Sequence, residues 1–297
     1  MRIDVQTLLE SSRPRPRLDW MAYLGVLAVA AVLGMSLLAE RSGSAREDTE
    51  SVASLIMVLV MAGMFLNTFL QTRAARLEHM RMELADELVQ LRRWPQAAML
   101  LQSMLSRPAR SPIVRLQALL ALCSVAARFH RFEDVTLITD QLLEEMPLDP
   151  MATHMIKLSR AMALLREDRL FDADRAISDL RHFSQARESG GLGLVEMYRD
   201  VKTGHPAEAL EVFAAKRDLI RRQLGHRVAD ACVLAAKAHD LLGQTEQAGQ
   251  AYAQATLMSP AVELHRRYPE TADLANKYRA TPAPSFNQSG ATLEVVV

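Results

Sequence analysis

The sequence predicts an all-α protein, an N-terminal hairpin of two transmembrane helices followed by an α-solenoid of about five helical hairpins. Three observations predict it. Two long runs carry no charged residue, small residues recur at fixed offsets every 36 to 39 residues, and proline or glycine breakers fall between the recurring units. With 49% hydrophobic and 24% charged residues the composition is a globular average, but that average hides two very different parts.

Residues 1–18 come first, a short tail in which "RPRPR" reads as extended and suited to anionic headgroups. The transmembrane hairpin follows over 19–72. Its spans are 20–39, "WMAYLGVLAVAAVLGMSLLA", and 51–72, "SVASLIMVLVMAGMFLNTFLQT". At about 1.5 Å per residue each covers the roughly 30 Å hydrocarbon core of a bilayer. Arg2, Arg13, Arg15 and Arg17 precede the first run, Arg41 and Arg46 lie between the runs, and Arg73, Arg76, Arg81 and Arg92 follow the second. That distribution predicts a multi-pass protein with both termini cytoplasmic and Glu40–Glu50 outside. A cleaved signal peptide is the alternative for the first run, with "GSA" at 43–45 as a passable site. Ala30 and Gly34 form a small-xxx-small pair able to pack the spans together or to pair two molecules, and Asn67 is a buried amide that needs a partner. No charge lies inside either run, which argues against a transport pathway.

Residues 73–262 carry the recurrence. A helix continues from the second span through Arg92. In the last unit, "LLGQTEQAGQAYAQATLMSP", Ala248 has Ala236 twelve before it, Gly243 five before, Tyr252 four after, Ala255 seven after and Pro260 twelve after. Equivalent markers upstream are Ala97, Val135, Ala173 and Ala209, so the spacings are 38, 38, 36 and 39. Each unit holds two helices and a turn, bounded by Pro108 and Pro112, Pro147 and Pro150, "ESGG" at 188–191, and Pro260. Small residues twelve apart allow two facing helices to approach closely, and the residue four after the marker fills the next gap on the same face. A cap of one or two helices is expected over 263–280 and a polar, mobile tail over 281–297.

These offsets resemble the tetratricopeptide repeat (TPR) family over residues 78–262. The last copy matches best. Gly193 and Met197 are unusual occupants of the first helix of the fourth copy, and Val135 replaces the marker alanine in the second. The resemblance implies a right-handed superhelix with a concave, ligand-holding surface. It also implies that positions fifteen, eleven and seven before each marker face inward. Fifteen before gives Met82, Leu120, Leu158, Leu194 and Val233; eleven before gives Asp86, Ser124, Met162, Tyr198 and Lys237; seven before gives Gln90, Arg128, Arg166, Lys202 and Leu241. Arg128, Arg166 and Lys202 would then form a basic ladder beside Leu120, Leu158 and Leu194, with Met162 and Tyr198 between. A peptide or helix carrying acidic and apolar residues fits such a surface. Alternatively, the apolar row is interhelical core and the cations are solvated. Groove asparagines that clamp a C-terminal carboxylate in some members have no counterpart, since the asparagines are Asn67, Asn276 and Asn287.

Chemistry-bearing motifs are absent from the sequence. The eight histidines form no HExxH, and "SGGLG" at 189–193 lacks the strand, spacing and lysine of a phosphate loop. Cys123 and Cys232 sit far apart in apolar helical contexts, so neither a disulfide nor a metal site is expected. Net charge is zero, from 35 basic and 35 acidic residues, which argues against nucleic acid. The expected function is a membrane-anchored protein–protein interaction scaffold or assembly factor without cofactors or enzymatic activity. The alternatives are a regulatory or enzymatic subunit of a membrane complex, or an envelope-biogenesis factor.

Overall fold

The computed structural model describes residues 4–14, 30, 46–182 and 189–278. Among these the protein is all-α, with thirteen α-helices, two short 3-10 turns and no strand. The expected first span, the loop to residue 45 and the tail 281–297 lie outside the described residues. The chain divides into two compact units, Met1–Asp134 and Val135–Val297.

The first unit contains α1 (Val5–Ser11), α2 (Arg46–Gln90), α3 (Trp94–Leu105) and α4 (Pro112–Arg128). Ahead of "RPRPR", residues 5–11 form a helix. Asp4 caps α1 by accepting from the Thr7 N–H at 3.2 Å, and Val5, Leu8 and Leu9, spaced to share one helical face, are buried. Buried Arg115 of α4 donates to the Leu9 carbonyl and to Ser12 Oγ, both at 3.2 Å, while Ser11 Oγ donates to the Leu105 carbonyl at 2.9 Å. The Leu9 carbonyl near the end of α1 thus finds a donor on α4, and the last-turn Leu105 carbonyl of α3 finds one on α1.

α2 is one continuous helix of 45 residues. Met82 and Ala85, near its C-terminal end, are buried, and α2 packs against α3 and α4. Further back, Val58, Met61, Met64, Phe65, Leu66, Phe69 and Leu70 are all exposed. Among the described residues no helix is long and apolar enough to cross a membrane. Within 51–72, the side chains of residues 51–57, 59 and 60 lie outside that description.

α5 (Phe132–Glu145) begins in the first unit and continues into the second, which adds α6 (Pro150–Arg166), α7 (Leu170–Arg181), α8 (Gly190–Thr203), α9 (Pro206–Leu224), α10 (Val228–Leu241) and α11 (Thr245–Met258). After α11 come two short helices, α12 (Ala261–Arg267) and α13 (Leu274–Tyr278), joined by a 3-10 turn at Pro269–Thr271. α6 pairs with α7, α8 with α9 and α10 with α11, and the first helices α6, α8 and α10 pack in sequence. Asp149 and Ser189 cap α6 and α8 through their side-chain oxygens.

The recurrence read in the side chains is also present in the backbone. Five residues before each marker, the chain turns through a left-handed residue: Arg92 (φ 57°), His130 (57°), Asp168 (60°), Gly204 (77°) and Gly243 (73°). The next N–H then reaches five residues back in every copy, Arg93 to Leu88 at 2.8 Å, Arg131 to Ala126 at 3.0 Å, Arg169 to Leu164 at 3.1 Å, His205 to Asp200 at 2.8 Å and Gln244 to His239 at 2.9 Å. This is the Schellman closure of a helix C-terminus, repeated five times. All five markers are buried, as are Ala85, Cys123, Ala161, Met197 and Ala236 twelve residues earlier. Met197 is therefore an ordinary core residue of the fourth copy. Its helix sits unusually close to its partner, since a Cβ on Gly190 would come within 3.0 Å of Ile220 Cα and one on Gly193 within 2.8 Å of Lys216 Cδ.

Candidate functional site

Aromatic and charged groups gather where the ends of α6 and α8 meet the segment after α12. Arg166 is the last residue of α6, and Lys202 lies in the last turn of α8. Both stand at the carbonyl-rich, partially negative end of a helix. Lys202 Nζ donates to the Leu165 carbonyl at 2.7 Å, so the cation of one repeat satisfies the frayed end of the preceding one. It also meets Asp168 Oδ1 at 2.7 Å and Glu270 Oε1 at 3.1 Å. Tyr198, one turn earlier on α8, donates its hydroxyl to the same Glu270 oxygen at 2.9 Å.

Rings complete the arrangement. Tyr268 stands edge-on to Tyr198 at a centroid distance of 5.1 Å, and the Arg166 guanidinium lies over both rings, 5.1 Å from Tyr198 and 4.8 Å from Tyr268. Lys202 Nζ approaches the Tyr198 ring at 5.5 Å. Burial pushes the Tyr198 phenol up, with Glu270 adding to the effect, and burial pushes Tyr268 up to about 12. Neither phenol ionises at neutral pH.

The same segment continues onto α10. Lys237 Nζ donates to both oxygens of Asp273, at 2.9 and 2.8 Å, and Asp240 receives Lys277 and the Tyr278 hydroxyl, each at 2.8 Å. Burial alone would raise Asp273, but the hydrogen bond and charge of Lys237, with those of Lys277, hold it below the ordinary carboxylate range. Beneath these contacts Arg267 reaches fully buried Asp230 at 2.6 Å. His265, lowered by burial, links the Tyr252 hydroxyl and Thr271 Oγ1, both at 3.1 Å.

Of the residues singled out from sequence, Arg166, Lys202 and Tyr198 come together, Arg166 over the tyrosine rings and the other two on Glu270, with Leu158 and Leu194 buried in the core and Met162 packed against it. Arg128 and Leu120 belong to the first unit, where the Arg128 guanidinium lies 5.7 Å from the Trp94 ring and Leu120 is half-buried. Sequence reasoning missed Tyr268, Glu270 and Asp273. The available signal was "RRYPETAD", an aromatic residue and two acids spaced to meet a basic ladder. Among the described residues no group of three His, Cys, Asp or Glu is placed to hold a metal. Compared with family models, curated proteins and solved structures, the chain matches none of them.

Proposed function

We propose that the protein is a membrane-anchored helical-repeat scaffold or assembly factor, resembling the TPR family, that holds a protein partner at the bilayer. The observation that carries this reading is α2. Between Val58 and Leu70 seven large apolar side chains are exposed, Phe65 at 77% and Met61 at 64% among them. At 100° per residue they cover roughly 240° of the helix circumference, more than an amphipathic surface helix presents to a core. A helix apolar around two thirds of its circumference, without packing partners there among the described residues, suits hydrocarbon rather than water.

Docking of α1 supports the topology. α1 precedes the uncharged run 20–39, while α3 and α4 follow the run 51–72, and the two flanks are held together by Arg115 and Ser11. A chain that leaves and returns to one side must cross an even number of times, which fits two spans. The arginine distribution assigns that side to the cytoplasm. The paired helices of the second unit, whose first members pack in sequence, support a repeat stack there, and the Arg166–Tyr198–Lys202 surface supplies its recognition chemistry.

The test is a pair of fusions and a capture. A reporter active only in the cytoplasm should work after Arg92 and fail at Gly43, and capture from detergent extract should return a stoichiometric protein partner. The reverse reporter pattern, or turnover by the purified protein alone, refutes the reading.

A further inference from the structure

The groove that the repeat pattern leads one to expect is already filled, and by this chain itself. Tyr268 and Glu270 lie against Arg166, Tyr198 and Lys202, while Asp273 lies against Lys237, which holds the place of Tyr198 in the next copy. A ligand of the expected kind, acidic and apolar, is therefore present in cis. We propose that residues 261–278 are a resident ligand of this groove, replaced in function by a partner segment presenting an aromatic ring followed two residues later by a carboxylate. The proposal rests on reading the groove as a protein-binding surface.

Three features favour a replaceable ligand over a permanent part of the core. Helical bonding gives the segment little independent stability, because α12 and α13 have only 7 and 5 residues. Two of its charged contacts with α10 have a half-exposed partner on the segment, Asp273 at 42% toward Lys237 and Lys277 at 51% toward Asp240, so both are salt-sensitive. Lys202–Glu270 and Arg267–Asp230 are more buried and hold it more firmly. Most telling is Glu270. Its Oε1 accepts from Tyr198 and pairs with Lys202, whereas its Oε2 is buried without a hydrogen-bond partner among the described residues. A partner carboxylate that satisfied both oxygens would bind better than the resident one. Against release stand Leu264, Tyr268 and Leu274, all fully buried. A partner must bring apolar groups to the same places, which is why an aromatic residue is part of the motif.

Tethering sets the scale. A short linker holds its ligand at roughly millimolar effective concentration, so a segment that binds in trans at about 10 µM would weaken a competitor on the order of 100-fold. The experiment converts the cis ligand into a trans ligand without changing a side chain in the groove. A protease recognition sequence is inserted between Ser259 and Pro260 of the full chain in detergent, and a fluorescent peptide of residues 261–278 is added before and after cleavage. The cleaved protein should stay helical, exchange its fragment and bind the peptide about 100-fold better than the uncut chain. Peptides carrying Glu270→Lys or Tyr268→Ala should bind at least tenfold more weakly. If the cleaved protein unfolds as the fragment leaves, or if the fragment never exchanges, the segment is structural core and the proposal fails. It also fails if both altered peptides bind like the parent. Capture of a partner by a chain whose fragment does not exchange would sink the resident ligand alone; exchange in a chain that captures nothing would sink the scaffold role alone.

Discussion

Arg92→Gly should stabilise the protein and Gly243→Ala should destabilise it, by similar amounts, because the two residues occupy the same point of the same turn in different repeats. Both are left-handed, at φ 57° and 73°. An L-residue there costs roughly 1–2 kcal/mol, since its Cβ crowds the following carbonyl oxygen. Glycine avoids that cost but loses about 0.5–1 kcal/mol more chain entropy on folding. The difference leaves about 0.5–1 kcal/mol in favour of glycine at either site. Surroundings do not alter the balance at Gly243, where an added Cβ meets nothing within 4 Å, and the Arg92 side chain is exposed. Asp168→Gly should gain less, because its carboxylate meets Lys202 at 2.7 Å, although at 77% exposure that pair is worth only about 0.2–1 kcal/mol. Units of this size melt about 2–4 °C differently per kcal/mol, so shifts of roughly 1–4 °C in opposite directions are expected. Thermal melts of the full chain in detergent, followed by circular dichroism at 222 nm, read both. If Gly243→Ala melts at or above the parent while Arg92→Gly melts below it, steric crowding is not what the turn position selects against.

Ala248→Leu, at a marker with no exposed surface, forces about three heavy atoms between close helices and should cost about 1–3 kcal/mol in denaturant unfolding. Leu158→Glu buries a charge in the core and should abolish cooperative melting, rather than only weakening a ligand. Acidification should loosen residues 261–278 in two stages readable by hydrogen exchange. His265 has a lowered folded value, so its contribution is full above about pH 6.5 and is lost as pH falls through that value; Asp273, also lowered, is full above about pH 3.9 and is lost below it. Cys123 and Cys232, pushed by burial up to about 12 and about 11, should resist alkylation at pH 8 in the native protein and react once it unfolds.

What was legible in the sequence was whatever a residue's volume decides. Ala97, Ala173, Ala209 and Ala248 are small because helices cross there, and their spacing marked the hairpins without any structural knowledge. Conformation was less legible than volume. Only Gly204 and Gly243 announced the turn, while Arg92, His130 and Asp168 adopt the same left-handed geometry because the flanking hydrogen bonds over-determine it. α1 was overlooked for a different reason. Val5, Leu8 and Leu9 have helical spacing, but seven residues are too few to be helical alone, and only Arg115 and Leu105, about a hundred positions later, provide what they dock against.

The basic ladder shows why equivalent positions in a repeat need not share a role. Aligning the copies makes Arg128, Arg166 and Lys202 look like one binding surface, because sequence comparison treats a repeated position as a repeated purpose. Each instead stands at the end of a first helix, where a cation is favoured by the helix dipole whatever else it does. From that shared origin their neighbours separate them. Arg128 turns to the Trp94 ring, Arg166 lies over two tyrosines, and Lys202 bridges the Leu165 carbonyl to Glu270. The partner that divides Lys202 from the others is 68 residues further along the chain, in a segment with no repeat pattern at all. A charge conserved across repeats for a local reason thus becomes available for recognition wherever an acid can reach it, and here the first acid to do so belongs to the same chain.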